Sequence, residues 1–79
     1  MKVSIKFFAA TAAITGERQI EMPLDESETS NQIFVRILAK YPDLAKHKLH
    51  YSLNQTYAID DEIVRDGDEL AIFTAVSGG

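Results

Sequence analysis

The residues best suited to do chemistry in this chain are its last three, Ser77, Gly78 and Gly79, which are expected to end in a free α-carboxylate. They follow directly on an apolar stretch, Leu70 to Val76, with no polar spacer between. Terminal residues are ordinarily frayed and carry little meaning. Here, Leu70 and Ile72 alternate with Ala71 and Phe73 in the two-residue period of a half-buried strand. That order predicts an anchored strand and then a flexible tail over 75–79 that leaves the domain surface. The Gly79 carboxylate is the expected working group. Glycine has no Cβ, so it accepts any backbone geometry and passes through a narrow channel. Five extended residues reach about 16 Å at roughly 3.3 Å each, enough to enter another protein's buried site.

Little else in the chain offers chemistry. There is no Cys, which excludes disulfides and thiolate metal sites. His47 and His50 have no partner at ligand spacing and are expected on the surface. The acidic run Asp60-Asp61-Glu62, with Asp66, Asp68 and Glu69, lacks the spacing of a calcium loop. It reads as a solvated loop with at most a modest steering role. No nucleophile–His–carboxylate set is present, and no metal or cofactor bound by the chain itself is expected.

Charge narrows the partners. A formal charge of −4 with eight scattered Lys and Arg gives no basic face for nucleic acid. A basic protein surface is the better match. Lys6 interrupts the only apolar N-terminal run, and no stretch approaches membrane-spanning length. The expected location is therefore the cytoplasm, with no membrane partner.

The elements that must hold the tail are legible from periodicity. With 79 residues, the chain is read as one domain, 1–79. Val3, Ile5 and Phe7 line one face of a first strand, Lys2 to Phe8, and Phe8 is an aromatic on the otherwise polar face. Ala9 to Gly16 reads as a small-residue connection. Arg18 to Leu24 is a weaker strand that Pro23 confines to an edge or to its end. Thr29 to Gln32 matches a capping box, and Ile33, Phe34, Ile37, Leu38 and Tyr41 follow at helical spacing until Pro42. Leu44 to Lys48 adds a short turn. Leu49, Tyr51 and Leu53 alternate as a third strand, and Asn54-Gln55-Thr56 turns into a short strand around Tyr57 to Ile59. An Asp66-Gly67-Asp68 turn feeds the last strand. The fold class is α+β, with a mixed four- to five-stranded sheet packed on one main helix. In such a roll the first and last strands lie side by side at the centre.

This order of elements resembles the ubiquitin-like β-grasp roll, whose carriers end in Gly-Gly. More narrowly, Asn54-Gln55 with Tyr57, Asp66-Gly67-Asp68-Glu69-Leu70, Phe73 and Ser77-Gly78-Gly79 resemble the family of molybdopterin synthase small subunits. Phe7-Phe8-Ala9 and Thr15-Gly16 fit the same family, so the resemblance covers essentially the whole chain. Two features depart from it. Thr74-Ala75 stands where the family often has prolines, which makes the tail less stiff. Ala10-Thr11-Ala12-Ala13 stands where charged residues are common, which removes partner contacts expected from that loop.

The resemblance implies that an ATP-dependent, E1-like enzyme adenylates Gly79 and that a persulfide then converts it to a thiocarboxylate. The chain itself binds no cofactor; the ATP is used by the activating partner. The thiocarboxylate inserts into a large synthase subunit, within a heterotetramer, and donates sulfur to a cyclic pterin monophosphate. Phe73, Phe8, Tyr57 and Val76 are the expected partner contacts, with Phe73 foremost. Three other functions share the same residues. They are a carrier for thiazole formation or tRNA thiolation, a β-grasp interaction module without chemistry, and a protein-conjugating modifier.

Overall fold

The computed structural model describes residues 1–57 and 61–74, apart from the side chain of Tyr57. Strand β1 (Lys2–Phe7) buries Val3, Ile5 and Phe7 and turns its alternate residues outward. Strand β2 (Gln19–Pro23) pairs antiparallel with it, from Lys6–Gln19 to Lys2–Pro23. Pro23 has no amide hydrogen to donate and so closes an edge strand without loss. The other strands are β3 (Leu49–Leu53), β4 (Thr56–Tyr57) and β5 (Glu69–Thr74). Their order across the sheet is β2-β1-β5-β3-β4. β1 and β5 run parallel at the centre, and β3 flanks β5 antiparallel. This is the mixed sheet expected of a β-grasp roll.

Helix α1 (Ala10–Thr15) corrects the sequence reading, which had only a connection there. Local bonds explain it. The Phe8 amide donates to Thr11 Oγ1 at 2.9 Å, and Thr15 Oγ1 donates back to the Thr11 carbonyl at 2.9 Å. Alanine supplies high helix propensity between them. Gly16, at φ 74°, ends the helix in the left-handed geometry that a side chain resists. At six residues the helix is too short to declare itself by periodicity.

Helix α2 (Ser30–Lys40) begins in the expected capping box: the Gln32 amide donates to Thr29 Oγ1, and the Thr29 amide to Gln32 Oε1. Ile33 and Ile37 are fully buried against β1 and β5 residues Val3, Ile5, Leu70 and Ile72 in one core cluster. Each such side chain contributes about 1.5–3 kcal/mol by leaving water. The Phe7 and Tyr41 rings meet edge-on at 5.6 Å, and the Phe34 and Tyr51 rings lie tilted at 33° with centroids 5.1 Å apart. Pro42 stops α2 after Tyr41, and a short 3-10 helix (Pro42–Lys46) buries Leu44.

The acidic loop is exposed at Asp61, Glu62 and Asp66, and it also caps a helix, which the sequence reading did not include. Asp61 Oδ1 accepts the Asn31 amide at 2.8 Å and the Ser30 hydroxyl at 3.2 Å, adding a remote cap to α2. The Asn31 amide is the main reason its carboxyl lies below the ordinary value of 3.8, against the opposing effect of burial. The Ser30 amide donates to the Glu62 carbonyl at 2.7 Å, and Val64 is buried. Asp60 and Ile59 lie outside the described residues.

Candidate functional site

The expected site lies at the end of the sheet where β5 runs out. On one flank β5 stays paired with β3 as far as Thr74, opposite Leu49. On the other, the parallel ladder with β1 ends at Phe7 opposite Ile72. The described part of β5, a central strand, therefore extends two residues past its last ladder pair with β1. Val76, Ser77, Gly78 and Gly79, and with them the proposed flexible tail 75–79, lie outside the described residues.

Phe8 and Phe73 come next after that last ladder pair. Phe8 is 50 % exposed and Phe73 is half-buried. Phe8 borders a shallow groove with Lys6, Ala9, Ala12, Arg18 and Gln19. Phe73 sits directly across from His50, with ring centroids 6.1 Å apart. His50 is the residue that the sequence reading left out of the patch. Its signal was in the alternation: with Tyr51 and Leu53 inward, His50 must share the face of Phe73. Of Tyr57 the structure describes the backbone pairing with Ser52, two positions from His50 on the same strand, β3.

The residues just before β5 are polar and already engaged. Asn54 sits at φ 51° in a two-residue turn with Gln55 at φ 68°, the left-handed pair that joins tightly twisted strands. Its Nδ2 donates to Asp68 Oδ1 at 3.0 Å, and its Oδ1 accepts the Glu69 amide at 2.9 Å. Asp68 also accepts the Arg65 amide at 2.8 Å, and Asp66 the Lys2 amide at 2.8 Å. Gly67, at φ 84°, makes the turn between them. The Asn54 and Asp66-Gly67-Asp68-Glu69 elements therefore fasten the β3–β4 turn and β1 to the root of β5.

A depression beside the start of α2, at the opposite end of the sheet, offers less. Arg36 Nη1 reaches both Glu28 oxygens, at 2.9 and 2.8 Å, and the Pro23 carbonyl at 3.0 Å. Burial works to raise the Glu28 carboxyl, but the Asp25 amide and Arg36 together hold it below its ordinary 4.5. These charges are satisfied by each other. Among the described residues no three His, Asp or Glu side chains gather as a metal site would require.

Similarity to known proteins bears on this arrangement. The model of the ThiS family matches residues 5–79. The chain is 31% identical to the molybdopterin synthase sulfur carrier subunit of Haemophilus influenzae, over 98% of this chain and 99% of that one. It is 29% identical to the protein of the same name from Chlamydomonas reinhardtii, over the full length of both. Among solved structures, SAMP1 from Haloferax volcanii superposes with a TM-score of 0.86 at 26% identity, covering both chains completely.

Proposed function

The chain belongs to the ThiS family, and from that membership we propose that it is the sulfur carrier subunit of a molybdopterin synthase. A carboxylate is a poor acyl donor, since its charge and resonance oppose attack. An ATP-dependent E1-like partner joins the Gly79 carboxylate to AMP, with release of pyrophosphate. The terminal sulfur of a persulfide displaces AMP to give an acyl disulfide. A second thiol of the sulfur-donating partner then attacks the inner, partner-bound sulfur, leaving a disulfide on the partner and the thiocarboxylate on Gly79. That sulfur is a nucleophile towards a cyclic pterin monophosphate in the large subunit. Its attack gives a thioester between Gly79 and the pterin. Water cleaves the acyl–sulfur bond, leaving sulfur on the pterin and a carboxylate on Gly79, so two cycles supply the two sulfurs of the dithiolene. The chain contributes the tail and a docking face and supplies no general base of its own.

The observation that carries this reading is full-length similarity to proteins named molybdopterin synthase sulfur carrier subunit, with a family match that runs through to Gly79. The end of β5, with Phe8, Phe73 and His50 around it, supports the docking role: aromatic side chains clustered beside a functional terminus are the usual anchors of an interface. Both large-subunit contact and cytoplasmic location are part of the proposal.

The same family match also suits a carrier that serves a thiazole or tRNA acceptor. Reconstitution separates the two. Thiocarboxylated chain, large subunit and cyclic pterin monophosphate should yield the dithiolene product. Sulfur that loads onto Gly79 but passes only to a thiazole or tRNA acceptor would replace the molybdopterin reading with the second one.

A further inference from the structure

We propose that the buried hydroxyl of Thr11 is the positioning group of the docking face, bridging β1 to β5 where their ladder stops and so fixing Phe8 relative to Phe73. This rests on the reading of that face as the large-subunit contact.

Thr11 is fully buried. The Phe8 amide donates to its Oγ1 at 2.9 Å. The hydroxyl has one hydrogen and two acceptors in reach, the Ile72 carbonyl at 2.8 Å and the Phe8 carbonyl at 3.0 Å. The Phe8 carbonyl already accepts the Thr11 amide at 3.0 Å. The hydrogen therefore goes to Ile72, the shorter contact and the buried one. The outcome is a relay in which Phe8 N–H donates to Oγ1 and Oγ1–H donates to the Ile72 carbonyl.

The relay stands where the backbone ladder ends. Phe7 and Ile72 are the last parallel pair, and Ala9 turns β1 away at φ 48° and ψ −112°. Just past that pair, the Thr11 oxygen links the Phe8 amide to the Ile72 carbonyl. Phe8 is its donor, and Phe73 follows immediately on its acceptor. Each aromatic is thus tied through its own or its neighbour's backbone to the same side chain. Valine has the shape of threonine without the hydroxyl. In its place the Phe8 amide and Ile72 carbonyl would lack their shared partner, and the strands would shift to satisfy them.

The test is the affinity of the full chain for the large subunit, measured by calorimetric titration. Thr11→Val and Thr11→Ser are compared with Val64→Ala, a core truncation at the opposite end of the sheet. Phe8→Ala and Phe73→Ala report on the face itself. The loss of the relay should weaken binding about five- to tenfold in Thr11→Val. Thr11→Ser should stay within about twofold of wild type because it keeps the donor and acceptor. Val64→Ala should bind as wild type despite its lower melting temperature, and the Phe8 amide should exchange its proton faster in Thr11→Val alone. Equal affinity for Thr11→Val and Thr11→Ser, or a loss no larger than that of Val64→Ala, overturns the proposal. Wild-type binding by both Phe variants would instead sink the docking reading, and this inference with it. Should Thr11→Val not fold, Thr11→Ala takes its place in the same comparison.

Discussion

The two ends of the sheet are built from the same central strands and treated in opposite ways. At the root of β5 the polar groups find partners within the chain. Asn54 holds Asp68 and Glu69, Asp66 holds the Lys2 amide, and Lys6 meets Glu69 at 3.2 Å. At the far end of β5, rings take over: Phe8 lies half in solvent and Phe73 packs beside His50. The difference separates recognition from function. The Asp66-Gly67-Asp68-Glu69 element, on which the resemblance read from the sequence rests, is a fastening, and the proposed chemistry belongs to Gly79, five positions beyond Thr74 in sequence.

That contrast can be broken at either end. The largest effect is expected from Phe73→Ala, which should cost about 2 kcal/mol of large-subunit affinity in a titration while leaving the melting temperature nearly unchanged. Asn54→Ala should do the reverse. It removes two hydrogen bonds and strains a positive-φ position, for a loss of about 1–2 kcal/mol in denaturant unfolding and none in affinity. Asn54→Gly keeps the backbone geometry, so comparing the two separates strain from lost bonding.

Acid should loosen the fastened regions in a smaller, graded way. Glu28 and Asp61 both have carboxyls held below their ordinary values of 4.5 and 3.8. Their contribution is complete above those values and is lost as pH falls through the lower folded-state ones. The denaturant midpoint should therefore be level from neutral pH to about 4.5 and fall below it. Asp61→Asn should flatten part of that acid limb; an unchanged limb would remove Asp61 as a helix cap. The smallest effect belongs to Lys6→Ala. Its partly exposed pair with Glu69 should be worth less than about 1 kcal/mol in the same unfolding experiment.

Where periodicity was long and the turn chemistry specific, the sequence was readable. The alternation of Val3, Ile5 and Phe7, the Thr29–Gln32 box and the Tyr41-Pro42 stop each have a single structural solution, and together they imply a β-grasp roll. Helix α1 escaped because six residues of mostly small side chains carry no amphipathic stripe; its stability comes from Thr11 and Thr15 hydroxyls bonding to nearby backbone. Asp61 escaped for another reason. Its amide partner Asn31 is thirty positions away in sequence, and a charge run gives no hint of which carboxylate folds back. The alternation with Tyr51 and Leu53 already put His50 on the outer face; what needed the structure was the register that sets it opposite Phe73. The terminal glycines were conspicuous from the start, and their role is a question of chemistry.

That chemistry is most directly tested by the intact mass of the chain after incubation with an E1-like activating enzyme, ATP and a persulfide donor. The account predicts replacement of one oxygen by sulfur, localised to Gly79 by fragmentation and absent when ATP is withheld. An unaltered mass in the presence of a demonstrably active activating enzyme would contradict it.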